Sequence, residues 1–190
     1  MMSQAKTLSD KNLKIVLATI SANRHPARNR AMLLMSVYAG CRVGEIAAMR
    51  FSDVVAADGS IKDEIRLAAE QTKGDRGRVV LVADKLKKEL ATYIATLKHL
   101  DPDKPFFRSQ RNRQGFSANT LAQHFGMIYQ RAGIDGASSH SGRRTFITTL
   151  ADKGVSVRVL MALAGHRNMS TTQRYIDLNP QQMKVAVNLI

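Results

Sequence analysis

Helical periodicity runs through most of the chain and gives way to a β-rich texture once, and that stretch limits the architectures open to it. After Ser9, a residue suited to capping, Leu13, Val16, Leu17 and Ile20 fall on one face at helical spacing. Residues 21–26 read as a connection. The spacing then predicts an apolar helix carrying Met32, Leu33, Met35, Val37 and Tyr38 that ends at Gly40, and another from Val43 to Met49. The break follows. Residues 61–69 and 78–82 are short and β-rich, and the two glycines of Thr72–Gly77 between them fit a hairpin turn. Helical spacing returns after Asp84 (Leu86, Leu90, Tyr93, Ile94, Leu97), stopping near Asp101-Pro102, and again from Ser117 to Gly133. Shorter helices are predicted over 140–153, 156–164, 170–177 and 180–190, the last with Pro180 at its first position. The expectation is one mainly α domain over 1–190 with a small antiparallel β-sheet of two or three strands, an α+β fold.

Composition narrows the class further. The chain has 190 residues, with 29 Lys+Arg against 15 Asp+Glu, a net charge of +14. Its sequence pI is about 10.4. At 44% hydrophobic and 23% charged residues it reads as globular rather than disordered. No apolar run approaches the roughly 18 residues of a membrane span, and no signal-peptide core stands at the N-terminus. The single cysteine, Cys41, excludes a disulfide framework and a cysteine-built zinc site. These features lead to an expectation of a soluble cytoplasmic protein whose positive excess asks for a polyanion, nucleic acid first.

Several chemistry-bearing side chains stand beside glycines or helix ends instead of on smooth helical faces. Arg42 follows Gly40-Cys41 at a tight junction between two helices, and Lys73 sits at the tip of the predicted hairpin. His140 and Arg143 are spaced i, i+3 in a first helical turn, which places them on one face. His166 follows Ala164-Gly165, and Tyr175 comes nine residues later. Two arginines suit a phosphate through bidentate forks. A lysine suits protonation of a leaving oxygen, histidines suit proton transfer, and a tyrosine among cations suits covalent attack. Tyr38, Tyr93 and Tyr129 sit among apolar neighbours and read as core, whereas Tyr175 lies in a polar segment. Each residue alone has an ordinary reading: a cation after a helix end, a turn lysine, a capping histidine. Cys41 reads as a small packed residue. His25, His99 and His124 show no metal-ligand spacing with carboxylates.

Taken together, the array Arg42, Lys73, His140-x-x-Arg143, His166, Tyr175 resembles the catalytic set of the tyrosine recombinase (phage integrase) family. The surrounding strings are similar too: Ala39-Gly-Cys-Arg-Val-Gly-Glu45-Ile46, Gln71-Thr-Lys-Gly74, His140-Ser-Gly-Arg-Arg-Thr-Phe146, Ala164-Gly-His-Arg-Asn168 and Thr171-Thr-Gln-Arg-Tyr175. The likeness runs in order from about residue 8 to 180. Two positions depart from the family pattern, Gly142 and Ala164, where leucine is usual.

The resemblance implies the catalytic-domain fold of DNA breaking-rejoining enzymes, without an N-terminal core-binding domain in this chain. It implies Tyr175 as nucleophile, Arg42 and Arg143 on the non-bridging oxygens, Lys73 as proton donor and His140 assisting proton transfer. His166 would hydrogen-bond the phosphate, and Glu45 would orient the catalytic groups. Cofactor and metal are expected to be absent from the reaction. Implied partners are double-stranded DNA, further protomers in a tetramer on DNA, and accessory DNA-bending proteins. The C-terminal helix at about 180–190, with Met183, Val187 and Ile190 on one face, would dock on a neighbouring protomer or on its own domain. Arg76, Arg78, Arg108, Arg111 and Arg113 are the expected duplex-backbone contacts. With about 6–10 phosphate contacts, affinity for duplex should fall by roughly 10³–10⁵ between 50 and 200 mM salt, and a flat salt response would overturn this. Two rival readings are a type IB topoisomerase-like enzyme, which relaxes supercoils without joining two sites, and a catalytically idle DNA-binding regulator.

Overall fold

The computed structural model describes residues 5–72, 76–109, 114–176, 183–184 and 187–188. The most buried element is α2 (Pro26–Ala39), whose Ala31–Val37 run is shielded from solvent. A helix apolar on nearly every side has to be covered on every side. Here α1 (Asp10–Ser21), α5 (Asp84–Ile94) and α7 (Ser141–Asp152) do so. Ser9 caps α1, its Oγ accepting from the Asn12 N–H, and Ser117 caps α6 (Ala118–Arg131) through the Thr120 N–H. Gly40 and Gly165 end α2 and α8 (Val157–Ala164) in left-handed conformations, as their positions in the sequence suggest.

The sheet consists of β1 (Glu64–Leu67) and β2 (Arg78–Leu81), antiparallel, with Ile65 opposite Val80. Its connection is not a simple tight turn. A 3-10 turn at Ala69–Gln71 follows β1, held because Gln71 Nε2 donates to Ala48 O and Asp53 Oδ2. Lys73 and the rest of 73–75 lie outside the described residues, as do Arg111, Arg113 and most of 177–190.

Two short helices complete the frame before the sheet: α3 (Val43–Ala48) and the single turn α4 (Phe51–Val54). Four residues are too few for periodicity to register, so α4 has no signature in the sequence. The helix α5 stops at Ile94, short of Leu97, and the Thr96 hydroxyl takes the Tyr93 carbonyl at 2.7 Å. Phe51, Tyr93, Phe106 and Phe107 then interlock edge-to-face and stacked, with centroids 4.8–5.5 Å apart, tying α4, α5 and the 101–107 loop together. A last short helix, α9 (Met169–Gln173), packs on α8 and carries the chain to Tyr175.

Candidate active site

Three helix junctions meet at one point. After the left-handed turn at Gly40, the chain reverses into α3 with Arg42 as the flanking residue. Glu45 closes that first turn: its Oε2 accepts from the Arg42 N–H and its Oε1 from Arg42 NH1, both at 2.8 Å. The second junction is the start of α7. Arg143 points inward and donates from NH1 to Gly40 O (2.5 Å) and from NH2 to Ala164 O (2.6 Å). The third is the end of α8, where Ala164 O also accepts from Arg78 NH1 at 2.6 Å and Gly165 O faces Arg42 NH2 at 3.5 Å. Three guanidinium groups therefore surround one buried carboxylate, an excess of two positive charges. Burial, with Arg42 and Arg78 nearby, brings the Arg143 pKa down to about 10, so the group remains charged at neutral pH.

Gly165 has φ +60°, which favours glycine, and a Cβ there would also press on Arg78 Cδ and NH1 at 3.0 Å. The turn it makes launches His166. That ring is held through Nδ1 by the Thr172 hydroxyl at 2.9 Å and stacks on Tyr175 with centroids 5.9 Å apart and an interplanar angle of 19°. The Arg144 guanidinium lies 5.5 Å from the Tyr175 ring centroid. Tyr175, His140, Arg144, Thr171, Arg174 and Ala5 line a shallow cavity. Arg42, Arg143, His166, Tyr175 and Glu45 are thus brought together. His140, the flanking residue of α7, is exposed on the Tyr175 side, while Arg143 three residues on is buried.

The expected duplex contacts divide. Arg76 is exposed. Arg78 is not on the outside but belongs to the arginine cluster, with its side chain 10% exposed. Strand alternation accounts for this, because Arg78 shares the inward face of β2 with Val80. Arg108 lies with its guanidinium 5.3 Å from the Phe51 ring centroid, with Nε and NH2 shielded from solvent, unlike an outward phosphate contact. Thr172 and Arg144 were not foreseen. Thr172 had a signal in the polar Ser-Thr-Thr run after His166, and Arg144 in its place beside Arg143. Cys41 is fully buried and its thiol is pushed up to about 12, so it packs rather than reacts. Among the described residues, no group of three His, Cys, Asp or Glu side chains is placed to hold a metal ion. Nor is any of the described helices long and apolar enough to cross a membrane.

Two histidines are held neutral. Burial, then Arg143, Arg42 and Arg78, lower His166 to about 4, and burial, then Arg28 and Arg131, lower His124 to about 4. Unfolded histidine takes its proton near 6.5, so between about 6.5 and 4 the unfolded chain binds more protons than the folded one. Stability is complete above that window and is lost as pH falls through it. A ring-proton NMR titration should place both midpoints below 5; midpoints near 6.5 would contradict the burial of these rings.

Comparison with known proteins places the chain in a family and a fold. The sequence profile of the phage integrase family matches residues 6–182, and the chain belongs to that family. It is 26% identical over 185 residues to tyrosine recombinase XerA of Pyrococcus furiosus, covering 96% of this chain and 60% of that protein. With tyrosine recombinase XerA of Thermococcus kodakarensis the identity is 29% over 189 residues, covering 97% and 62%. The crystal structure of XerA recombinase superposes with a TM-score of 0.75 at 25% identity, over 98% of this chain and 66% of that one. The Tn1549 transposon integrase in complex with transposon right end DNA shares the fold, with a TM-score of 0.75 at 15% identity and coverage of 98% and 66%. The chain spans about 60% of the length of the curated relatives it matches.

Proposed function

We propose that this chain is the catalytic unit of a site-specific recombinase that cleaves and rejoins duplex DNA through a 3′-phosphotyrosyl intermediate. The observation that carries the reading is the stacking of Tyr175 on His166, directly beside an arginine cluster with two uncompensated positive charges. The Tyr175 hydroxyl gives up its proton as its oxygen bonds to phosphorus, the bond to the 5′-oxygen breaks, and that oxygen takes up a proton as it leaves. Arg42 and Arg143 bind the non-bridging oxygens and stabilise the charge of the transition state. A neutral His166, held by Thr172 through Nδ1, offers Nε2 to the phosphate. His140 assists proton transfer, and Glu45 fixes Arg42. Lys73, by family resemblance, donates the proton to the leaving oxygen. The ester energy is kept in the phosphotyrosyl bond, so a 5′-hydroxyl from another duplex reverses the step without ATP. The charge stabilisation that a metal ion supplies elsewhere falls to guanidinium groups.

On this reading the partners are duplex DNA, further protomers assembled as a tetramer on it, and accessory DNA-bending proteins. Arg76, Arg111 and Arg113 serve the backbone. The positive excess of the chain and the DNA complex of the Tn1549 relative support DNA as the partner.

The test is a pool of nicked duplexes of randomised sequence, incubated with the protein and recovered as covalent adducts after denaturation. Wild type is expected to yield adducts enriched for one site, and Tyr175→Phe none. Duplex binding without adduct from wild type would overturn the enzyme reading in favour of the DNA-binding regulator. Relaxation of supercoiled plasmid without joining of two sites would favour the topoisomerase-like reading.

A further inference from the structure

Glu45 is the least exposed charged group of the site, its side chain 1% accessible, and in this structure its charge is met mainly by Arg42. Of the two arginines that face Glu45 as ion pairs, Arg42 is the more open to a ligand, at 28% side-chain exposure against 10% for Arg78. A phosphate gripped by the Arg42 fork takes NH1 away from Glu45 Oε1. Oε2 keeps the Arg42 backbone N–H, but a carboxylate sealed from water cannot stand with half its partners gone. Arg78 is placed to meet this need. Its NH2 is 3.7 Å from Glu45 Oε2, just beyond hydrogen-bond range, and its Nε and NH2 are buried without a hydrogen-bond partner. Those two nitrogens are shielded from solvent. NH1 meanwhile stays on Ala164 O, so a small rotation suffices.

We infer that Arg78 is a positioning residue that takes over the Glu45 carboxylate when Arg42 turns to the reacting phosphate. The inference rests on the recombinase reading. Arg78 touches no reacting atom; it frees Arg42 to do so and holds the end of α8 while the exchange occurs.

The experiment uses the full chain and the nicked duplex enriched from the randomised pool. Adduct formation is measured in single turnover at saturating protein, and Kd for the same duplex is measured in the Tyr175→Phe background. Arg78→Met is expected to slow adduct formation by about 30-fold or more while Kd changes by less than about 3-fold, and Arg78→Lys to recover most of the rate. In Glu45→Gln no carboxylate awaits a cation, so adding Arg78→Met should cause no further slowing. An unchanged rate in Arg78→Met, a fall in rate matched by a proportional rise in Kd, or losses that multiply in the double variant would overturn the proposal. Should Arg78→Met not fold, the Arg78 guanidinium NMR signals of Tyr175→Phe decide: they shift on duplex addition if the exchange occurs, and unchanged signals refute it. Failure of wild type to form any adduct would instead defeat the recombinase reading, and this inference with it.

Discussion

On the proposed mechanism, Arg143→Met is expected to lower the rate of covalent adduct formation by about 10²–10³-fold, the usual consequence of removing one donor that stabilises developing negative charge. The less obvious half of the expectation concerns stability, which should stay within about 1 kcal/mol of wild type although the residue is 5% exposed. Removing the guanidinium leaves Gly40 O without its 2.5 Å partner, while Ala164 O keeps Arg78. An orphaned buried carbonyl costs about 1–3 kcal/mol. Against this, the fall of the Arg143 pKa to about 10 means that keeping it charged costs about 3 kcal/mol relative to an exposed arginine. The two effects offset because burial, and after it the neighbouring Arg42 and Arg78, make the charged Arg143 costly to hold. Denaturant unfolding beside the single-turnover assay checks both halves. A stability loss above about 3 kcal/mol would mean that Arg143 is a structural strut first.

Gly142→Leu, which installs the residue usual in the family, destabilises this chain severely. A Cβ at 142 would stand 2.7 Å from Ser36 Oγ, 2.9 Å from Ser36 Cβ and 3.2 Å from Val37 Cγ2, in the seam where α7 crosses α2. Both Ser36 atoms belong to a fully buried residue of a close-packed helix, so little can yield. Overpacking of this kind costs about 1–3 kcal/mol for the first methylenes and more for a whole leucine. At about 3 kcal/mol, a chain of this size loses roughly 6–12 °C in Tm. Ser36→Gly should restore at least half of that loss when combined with Gly142→Leu. If it restores none, the seam is not where the leucine is refused. Gly142 and Ser36 thus pack as a pair where α7 crosses α2, one residue before Arg143.

Most of the helices could be read in advance because their signals are local. Ser9 and Ser117 cap as expected, and Gly40, Gly133 and Gly165 all have positive φ where helices end. The β-rich break at 61–82 does form an antiparallel pair. Local signals fail where tertiary contacts decide. The turn α4 is held by Asp53 Oδ2 accepting from the Arg50 N–H, and α5 gives way at Thr96. Tyr38, read as core, is only half-buried, with the Lys85 ammonium 3.6 Å from its ring centroid. The order of Arg42, Arg143, His166 and Tyr175 was visible in the sequence, but what gathers the arginines was not. Their tips converge on the carbonyls of Gly40, Ala164 and Gly165, and a backbone oxygen carries no mark in the sequence. Arg78 differs: it faces inward because it alternates with Val80 on β2, a pattern the sequence does carry.

The two carbonyls at the end of α8 have a consequence for how the site responds to its surroundings. Arg78 and Arg143 share one oxygen, and Arg42 faces the next. The final turn of α8 therefore acts as a common pivot, and any tilt of that helix is felt by three cations at once.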